Sequence, residues 1–281
     1  MPAFTHHGYH LAYSEFGDPS SPRTTILVHG LLMNRKMHAP LARALTAQGN
    51  RAITLDLLGH GESDRPVDMW RYGMGFFAEQ IVALMDHLEL EQSVVLGTSL
   101  GANSALEVAS SRPERLRGMV IEMPVLDNAL LACAIGFTPL LVATTFGAPL
   151  TRLVARGFAS LPRRGVPLWG EVMLDALSNP PAPAAAILQG LFFGRTAPHR
   201  AERRTFETPA LVIGHHRDPI HAFSDAGMLA DELPRGRLLE ATSIIELRLA
   251  PARLTAEIAG FIDDCWQPRE SPRQAPAGAS A

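Results

Sequence analysis

Several residues and patterns that mark whole classes of protein are scarce in this chain of 281 residues. Only Cys133 and Cys265 are cysteines, and their wide separation gives neither a CxxC pair nor a disulfide framework. A reducing, cytoplasmic setting is therefore expected. Lys36 is the only lysine, and 28 acidic residues against 25 basic ones give a net charge of −3. This balance argues against a general affinity for nucleic acid or for anionic membranes.

A targeting leader and an unbroken apolar run of membrane length are also missing. The first ten residues, Met-Pro-Ala-Phe-Thr-His-His-Gly-Tyr-His, contain no basic segment followed by an apolar one, so no signal peptide is expected. The uncharged stretch from Asn128 to Thr151 is long enough for a bilayer, but Gly136, Pro139 and Gly147 interrupt it. We therefore expect two apolar helices there and no integral membrane span.

Cofactor motifs are absent from the sequence as well. No glycine-rich loop has the spacing that cradles a phosphate, so no nucleotide cofactor is predicted. His6, His7 and His10 cluster near the N-terminus without a carboxylate or thiol close by in the sequence. We expect these histidines on a mobile terminus, and we predict no metal site and no other cofactor.

What the sequence does contain is an alternation of short apolar runs, rich in β-branched residues, with longer amphipathic stretches. The predicted strands are Thr24–His29, Arg51–Asp56, Ser93–Gly97, Met119–Glu122, Ala210–Gly214 and Arg237–Ala241. The predicted helices are His38–Gln48, Phe76–Leu88, Ala102–Ser111 and Pro251–Trp266. This alternation predicts an α/β fold with a mainly parallel sheet.

The alternation is interrupted once, between Met123 and Thr208. This segment has no strand-like run and is too long for a loop in a compact domain, so residues 123–208 are predicted to form a helical insertion. The core is then expected in residues 1–122 and 209–266. Residues 267–281 have no apolar content to bury and are predicted to be a disordered tail.

The most specific motif is centred on Ser99. The sequence Gly97-Thr-Ser99-Leu-Gly101 follows a predicted strand and precedes a predicted helix, which is the pattern and the setting of a G-x-S-x-G nucleophile elbow. Glycine is needed at both ends because a side chain there would strike the neighbouring strand or helix. The helix N-terminus favours developing negative charge. Ser99 is therefore the candidate nucleophile.

A second predicted strand ends in His29-Gly30-Leu31. Acyl transfer needs two backbone N–H donors for the oxyanion, one from the residue after the nucleophile and one from a loop after an earlier strand. Leu100 and Leu31 hold these two positions. For His29, a loop residue bonded to backbone is favoured over a catalytic residue.

With these motifs the chain resembles the α/β-hydrolase fold family. The matching blocks are His29-Gly30, the glycine-rich turn from Asp56 to Asp64, Gly97 to Gly101, and Pro209 to Pro219. The resemblance implies an eight-stranded sheet with helices on both faces, and it identifies residues 123–208 with the family's helical lid. It also implies that Ser99 is the nucleophile, that Leu31 and Leu100 are the oxyanion donors, and that Asp218 is the acid of the triad.

The sequence departs from the family where the triad histidine should follow the last strand. Thr242-Ser243 stands there, and no histidine occurs after His221. A hydroxyl group cannot serve as the general base. The preferred substitute is His221, three residues after Asp218. Other candidates for the base are His38, His60, His215 and His216.

Three functions are compatible with this sequence. The first is a carboxylesterase-like serine hydrolase of unusual or incomplete triad, acting on a small apolar acyl compound that fits a lid rich in apolar residues. The second is a ligand-binding protein that has the fold but no hydrolytic activity. The third is a lyase or acyl-transfer enzyme in which Asp218 or Glu122 acts as acid or base. Pairing of Glu122 with an arginine of the lid is an equally good interpretation of that residue.

Overall fold

The computed structural model describes residues 2–267, and a mixed sheet of eight strands forms its centre. The strands are β1 (Ala3–His6), β2 (Tyr9–Phe16), β3 (Thr24–Val28), β4 (Arg51–Leu55), β5 (Ser93–Thr98), β6 (Leu116–Glu122), β7 (Ala210–Gly214) and β8 (Gly236–Glu240). Their order across the sheet is β1-β2-β4-β3-β5-β6-β7-β8. Strand β2 pairs antiparallel with β1 and β4, and the other pairings are parallel. The prediction of a mainly parallel sheet is therefore confirmed.

Helices cover both faces of the sheet. In the described residues they are α1 (Ala39–Thr46), α2 (Met74–His87), α3 (Leu100–Ser111), α4 (Leu130–Phe146), α5 (Ala148–Ala159), α6 (Leu168–Leu177), α7 (Pro181–Phe193), α8 (Arg200–Arg203), α9 (Phe223–Glu232), α10 (Glu246–Leu249) and α11 (Ala252–Trp266). Ile26 and Val28 of β3 pack in one apolar cluster with α2, α3 and α9, whereas Leu27 packs in a second cluster with α1 and α11. Successive strand side chains point to opposite faces, so a strand covered on both sides is apolar at every position.

All the predicted strands and helices occur, and their ends differ from the prediction by at most three residues. The largest difference is in β6, which begins at Leu116 rather than at Met119. Helix α9 was not predicted, because its sequence Phe-Ser-Asp-Ala-Gly-Met-Leu-Ala-Asp-Glu shows only a short apolar stripe. The α/β fold class with helices on both faces is confirmed.

The expectation of a mobile N-terminus around His6, His7 and His10 is wrong. His6 pairs with Tyr9, and His10 pairs with Thr5, in the antiparallel ladder between β1 and β2. The hairpin turns at His7-Gly8, where both residues have positive φ, as a two-residue type I′ turn requires. The rings of His6 and His7 lie against Phe76 of α2, so they pack here as flat, partly apolar side chains.

A carboxylate also lies near these histidines, contrary to the sequence-based expectation. Glu79 of α2 is 3.6 Å from Nε2 of His7, and His6, His7 and Glu79 offer possible ligand atoms within 4.8 Å of one another. Helix α2 reaches the hairpin from far along the chain, so no spacing rule could reveal the carboxylate.

The segment between β6 and β7 contains helices α4 to α8 and, in the described residues, no strand. No single helix among residues 2–267 is long and apolar enough to cross a bilayer. Helices α4 and α5 satisfy that test only as a pair, and their axes differ by 103° across the break at Gly147. The predicted tail, residues 267–281, lies outside the described residues apart from Gln267.

Asp225 of α9 joins this inserted segment to the core. Its buried carboxylate accepts hydrogen bonds from the N–H groups of Leu126, Asn128 and Ala129 at 2.8–3.0 Å, and from the side-chain amide of Asn128 at 2.8 Å. These N–H groups belong to the turn that leads into α4. That of Ala129 also donates to the carbonyl of Leu126 at 3.2 Å, whereas those of Leu126 and Asn128 have no other acceptor among residues 2–267. The start of α4 is thus fixed by a residue almost a hundred positions later in the chain.

Replacing Asp225 by Ala should lower the free energy of unfolding by roughly 2–4 kcal/mol, because the N–H groups of Leu126 and Asn128 lose their only acceptor at once. Urea denaturation monitored by circular dichroism measures the change. Asp231→Ala, at an exposed position of the same helix, is the matched control and should cost less than about 0.5 kcal/mol. Equal losses in the two variants would contradict this account of Asp225.

Candidate active site

Ser99 lies on a sharp turn between β5 and α3. Its backbone has φ 52° and ψ −107°, a region that non-glycine residues rarely adopt. Residues held in such conformations cost about 1–3 kcal/mol and concentrate at functional sites. The N–H of Ser99 donates to the carbonyl of Glu122 at 2.8 Å, which fixes the turn against β6. Ser99 is thereby held at the carboxyl end of the central strands.

Both glycines of the motif are required by this geometry. A Cβ atom at Gly97 would lie 2.1 Å from the carbonyl carbon of Gly101, and a Cβ atom at Gly101 would lie 2.3 Å from the carbonyl oxygen of Val28. Neither contact can be relieved by rotating a side chain, since both involve backbone atoms. The motif therefore reflects close packing of the turn against itself and against β3.

His221 lies directly against the Ser99 hydroxyl. Nε2 of His221 is 2.9 Å from Oγ of Ser99, and Nδ1 of His221 is 2.9 Å from Oδ2 of Asp218. The other carboxylate oxygen of Asp218 accepts the N–H groups of Ile220 and His221 at 2.9 Å. Asp218 thus orients the imidazole and also holds the turn that carries it.

The charge state of Asp218 determines where the imidazole proton lies. Burial raises the pKa of Asp218, but the hydrogen bonds from His221 and Ile220 outweigh it, and the net effect places this pKa below its usual value. The ionised carboxylate can only accept, so Nδ1 of His221 must carry the proton. Nε2 is then free to accept the hydroxyl proton of Ser99.

The N–H groups of Leu31 and Leu100 have no acceptor among residues 2–267. Leu100 is the first residue of α3, where an N–H has no partner inside the helix. Gly30 brings the loop after β3 close to the elbow, since a Cβ placed on it would lie 3.8 Å from Cβ of Ser99. Leu31, Ser99 and Leu100 all line the same cavity.

This cavity has a volume of about 270 Å³ and extends from Ser99 and His221 under the inserted helices. Its walls include Leu130, Cys133, Ala134 and Phe137 of α4, and Leu188, Leu191 and Phe192 of α7. None of the described residues that line it is Asp, Glu, Lys or Arg. The space next to Ser99 is therefore small and almost wholly apolar.

Asn103 is a polar residue of the cavity wall that sequence reasoning missed. Its amide nitrogen donates to the carbonyls of Val125 and Thr196 at 2.7 and 2.8 Å, and its oxygen accepts the N–H of Val125 at 3.1 Å. Asn103 therefore ties both ends of the inserted segment to α3. A single Asn in a helix has no motif that could have revealed this role.

The Thr242-Ser243 segment, where the family has its histidine, forms a different structure here. Glu246 accepts the N–H and the hydroxyl of Thr242 at 2.5 and 2.7 Å, and it pairs with Arg253 at 2.9 Å. The hydrogen bond from Arg253 lowers the pKa of Glu246 to about 2. The segment is thus a charged turn that leads into α10, and none of its residues lines the cavity.

The expected pairing of Glu122 with an arginine of the lid is wrong. Glu122 is buried, and its partner is Arg248 of α10, 2.7 Å away, together with the hydroxyl of Thr98 at 2.5 Å. Burial raises the pKa of Glu122, but Arg248 more than compensates, so this pKa lies below its usual value. The carboxylate is fully engaged behind the elbow and does not line the cavity.

The remaining candidate bases lie elsewhere. His29 accepts the N–H of Leu57 at 3.1 Å, as expected for a loop residue bonded to backbone, and burial lowers its pKa. Burial lowers the pKa of His38 to about 3 and that of His60 well below the usual value. His216 is exposed, 3.3 Å from Glu240. Of the histidines in the described residues, His221 alone lines the cavity.

Comparison with known proteins gives a consistent picture of the fold. A family model described as alpha/beta hydrolase fold matches residues 25–220. Among curated proteins, a 2-hydroxymuconate semialdehyde hydrolase of Pseudomonas sp. (strain CF600) is 39% identical over 75 residues, which is 27% of this chain and 26% of that protein. The same enzyme of Pseudomonas putida is 34% identical over 100 residues, which is 34% of each. The chain spans only about a quarter to a third of the length of these curated relatives.

Solved structures match over almost the whole chain. The enol-lactonase of Burkholderia xenovorans LB400 has a TM-score of 0.75 at 21% identity, covering 93% of this chain and 100% of that one. The meta-cleavage product hydrolase of Pseudomonas fluorescens IP01 has a TM-score of 0.72 at 19% identity, covering 94% and 98%. Likeness at these identities concerns the fold.

Proposed function

The chain belongs to the α/β hydrolase fold family, and on that premise we propose that it is a serine hydrolase acting on a small, uncharged, apolar acyl compound. The observation that carries the proposal is the contact between Ser99 and His221 at 2.9 Å, with Asp218 behind the imidazole at 2.9 Å. A nucleophile in hydrogen-bond reach of a base that a third group orients is the arrangement that activates a hydroxyl.

The chemistry follows from this arrangement. Nε2 of His221 takes the proton of Ser99 as Oγ attacks the carbonyl carbon of the substrate, and Asp218 stabilises the imidazolium that forms. The N–H groups of Leu31 and Leu100 bind the oxyanion of the tetrahedral intermediate. His221 then returns the proton to the leaving group. A water molecule, deprotonated by the same imidazole, releases the acyl group from Ser99.

The cavity supports a small, uncharged substrate. Its volume of about 270 Å³ lies just below the roughly 300–1,000 Å³ typical of ligand pockets. No described lining residue carries an opposite charge for a carboxylate or an amine, and the amide of Asn103 is already engaged with backbone. The names of the relatives, which include an enol-lactonase and a 2-hydroxymuconate semialdehyde hydrolase, agree with a hydrolytic reaction.

The structure gives less support to the other two functions that the sequence allowed. A lyase or transfer reaction that uses Glu122 loses its basis, because Arg248 and Thr98 occupy that carboxylate away from the cavity. A ligand-binding protein without activity has no need for an oriented imidazole on the Ser99 hydroxyl.

Labelling with a fluorophosphonate tests the proposal. The chain should form an adduct at Ser99, located by mass spectrometry of the digested protein, and Ser99→Ala should not be labelled. Ser243→Ala, at the position where the family has its histidine, is the matched control and should be labelled like the unaltered chain. No adduct under conditions that label ordinary esterases would refute the serine-hydrolase proposal.

A further inference from the structure

Helices α4 and α5 expose an unusual amount of apolar side chain. Six such residues are 49–83% exposed, and together they define what we call the helix-pair face: Leu131, Ile135, Phe146, Leu150, Leu153 and Val154. Soluble proteins rarely leave a contiguous set of large apolar side chains in water without a binding partner.

Helix α5 is amphipathic, but its apolar stripe does not face the protein. Leu150, Leu153 and Val154 recur at helical spacing and are exposed, whereas the side that packs inward holds the buried Ala155. A surface helix of a globular protein normally turns its apolar stripe to the core. Residues 2–267 therefore leave the stripe of α5 largely uncovered, as expected of a helix that contacts something else.

The charge of this region differs from that of the whole chain. Residues 128–170 contain four arginines and no acidic residue. Arg163 pairs with Asp175 of α6, but Arg152, Arg156 and Arg164 contact no carboxylate among residues 2–267. An occupant of the face must therefore combine an apolar body with negative charge.

Two other occupants fit poorly. In a two-fold symmetric dimer the same surface forms both sides of the interface, so the partner's copy of residues 128–170 would offer no carboxylate to these arginines. The chain's own residues 268–281 contain no Val, Ile, Leu, Met, Phe, Trp or Tyr and so offer no large apolar side chain for the face.

We propose that the helix-pair face docks on an anionic lipid bilayer, with α4 and α5 lying in the plane of the headgroups. A basic amphipathic helix such as α5, next to an uncharged apolar helix such as α4, has the composition that binds an anionic membrane surface. The opposite side of α4 supplies Leu130, Cys133, Ala134 and Phe137 to the cavity, so this helix separates the lipid from Ser99. That the bilayer also delivers the acyl substrate rests on the proposed function.

Vesicle flotation with the full chain carrying Ser99→Ala tests the docking without hydrolysis. The protein should float with vesicles of equal phosphatidylcholine and phosphatidylglycerol, and much less with phosphatidylcholine alone. Adding Leu131→Ser, Ile135→Ser and Leu153→Ser should weaken binding at least about tenfold, because each apolar side chain loses its burial in the lipid. Val67→Ser, an equally exposed apolar residue outside the inserted helices, should leave binding unchanged.

Arg152→Gln with Arg156→Gln should remove the preference for phosphatidylglycerol and its sensitivity to salt. Absence of flotation with either vesicle, or flotation unaffected by the three serine substitutions, would overturn the docking proposal. So would a dimer in analytical ultracentrifugation that Leu131→Ser dissociates, because it would assign the face to a second copy. A chain that floats but is not labelled by fluorophosphonate contradicts only the hydrolase proposal, and a labelled chain that does not float contradicts only the docking.

Discussion

Replacing His221 by Ala is expected to slow ester hydrolysis by a factor of about a thousand to ten thousand, with little change in the fold. His221 is the described histidine within reach of the Ser99 hydroxyl, so its loss leaves Oγ without a proton acceptor. The readouts are the rate of fluorophosphonate labelling and the turnover of a short-chain nitrophenyl ester.

His216→Ala is the matched control for this prediction. His216 belongs to the same loop but is exposed and lies beside Glu240, away from the cavity, so its replacement should change the rate less than about twofold. Labelling of His221→Ala at the rate of the unaltered chain would show that another group activates Ser99.

Replacing Arg248 by Met is expected to lower the free energy of unfolding by about 3–5 kcal/mol at neutral pH. The substitution leaves the buried carboxylate of Glu122 with only the Thr98 hydroxyl, and breaking a buried ion pair from one side leaves an uncompensated charge. Arg248 also accepts the indole N–H of Trp169 from α6 through its backbone carbonyl, a bond that the variant keeps. Urea denaturation measures the change.

The double variant Glu122→Gln with Arg248→Met separates the buried charge from lost packing. It should recover most of the stability, because no charge is then left unpaired. A double variant as unstable as Arg248→Met would contradict the explanation by an unpaired carboxylate.

The pH dependence of Arg248→Met has a definite sign. In the unaltered chain the pKa of Glu122 is lowered, so the stability that the ion pair gives is complete above the usual carboxyl pKa of about 4.3 and is lost as the pH falls through the lowered value. Without Arg248, burial, the largest effect on this carboxyl, is opposed only by the Thr98 hydroxyl and by His38, so the pKa of Glu122 should rise. Protonation of Glu122 then removes the unpaired charge. The loss in free energy of unfolding caused by Arg248→Met should therefore be smaller near about pH 5 than at neutral pH.

Features that depend on neighbouring residues could be predicted from the sequence. The strands are apolar because helices cover both faces, and the turn at Ser99 needs Gly97 and Gly101 because their Cβ atoms would strike backbone. Both requirements produce a pattern that is visible within a few consecutive residues. The family resemblance also identified Asp218, whose carboxylate contacts His221, a residue of the cavity wall.

Features that depend on residues distant in sequence could not be predicted. Arg248 reaches Glu122 from 126 positions away, and no periodicity encodes that contact. His221 was the preferred base because it follows Asp218 closely, but the sequence could not exclude four other histidines, because only the fold shows that their imidazoles are buried against backbone or exposed. The N-terminal hairpin was missed because its histidines resemble polar terminal residues, although their rings pack on α2.

The sum of all charges was also a poor guide to the surface. A net charge of −3 argued against anionic membranes, yet residues 128–170 are basic without exception among their charged side chains. Local charge is what an interface meets within a screening length of about 8–10 Å.

The turn from Asp218 to His221 has a consequence for how this site could be switched off. Asp218 and His221 are three residues apart on one loop, and the carboxylate also accepts hydrogen bonds from the backbone of that loop. Closing so short a segment costs little chain entropy compared with bringing together two separate loops. A single movement of this loop therefore brings His221 and Asp218 together towards Ser99 or takes both away. If the proposed mechanism holds, the fraction of active molecules should depend on whether the turn from Asp218 to His221 is ordered. In the proposed mechanism no residue of β8 takes part, so this movement does not depend on the register of that strand.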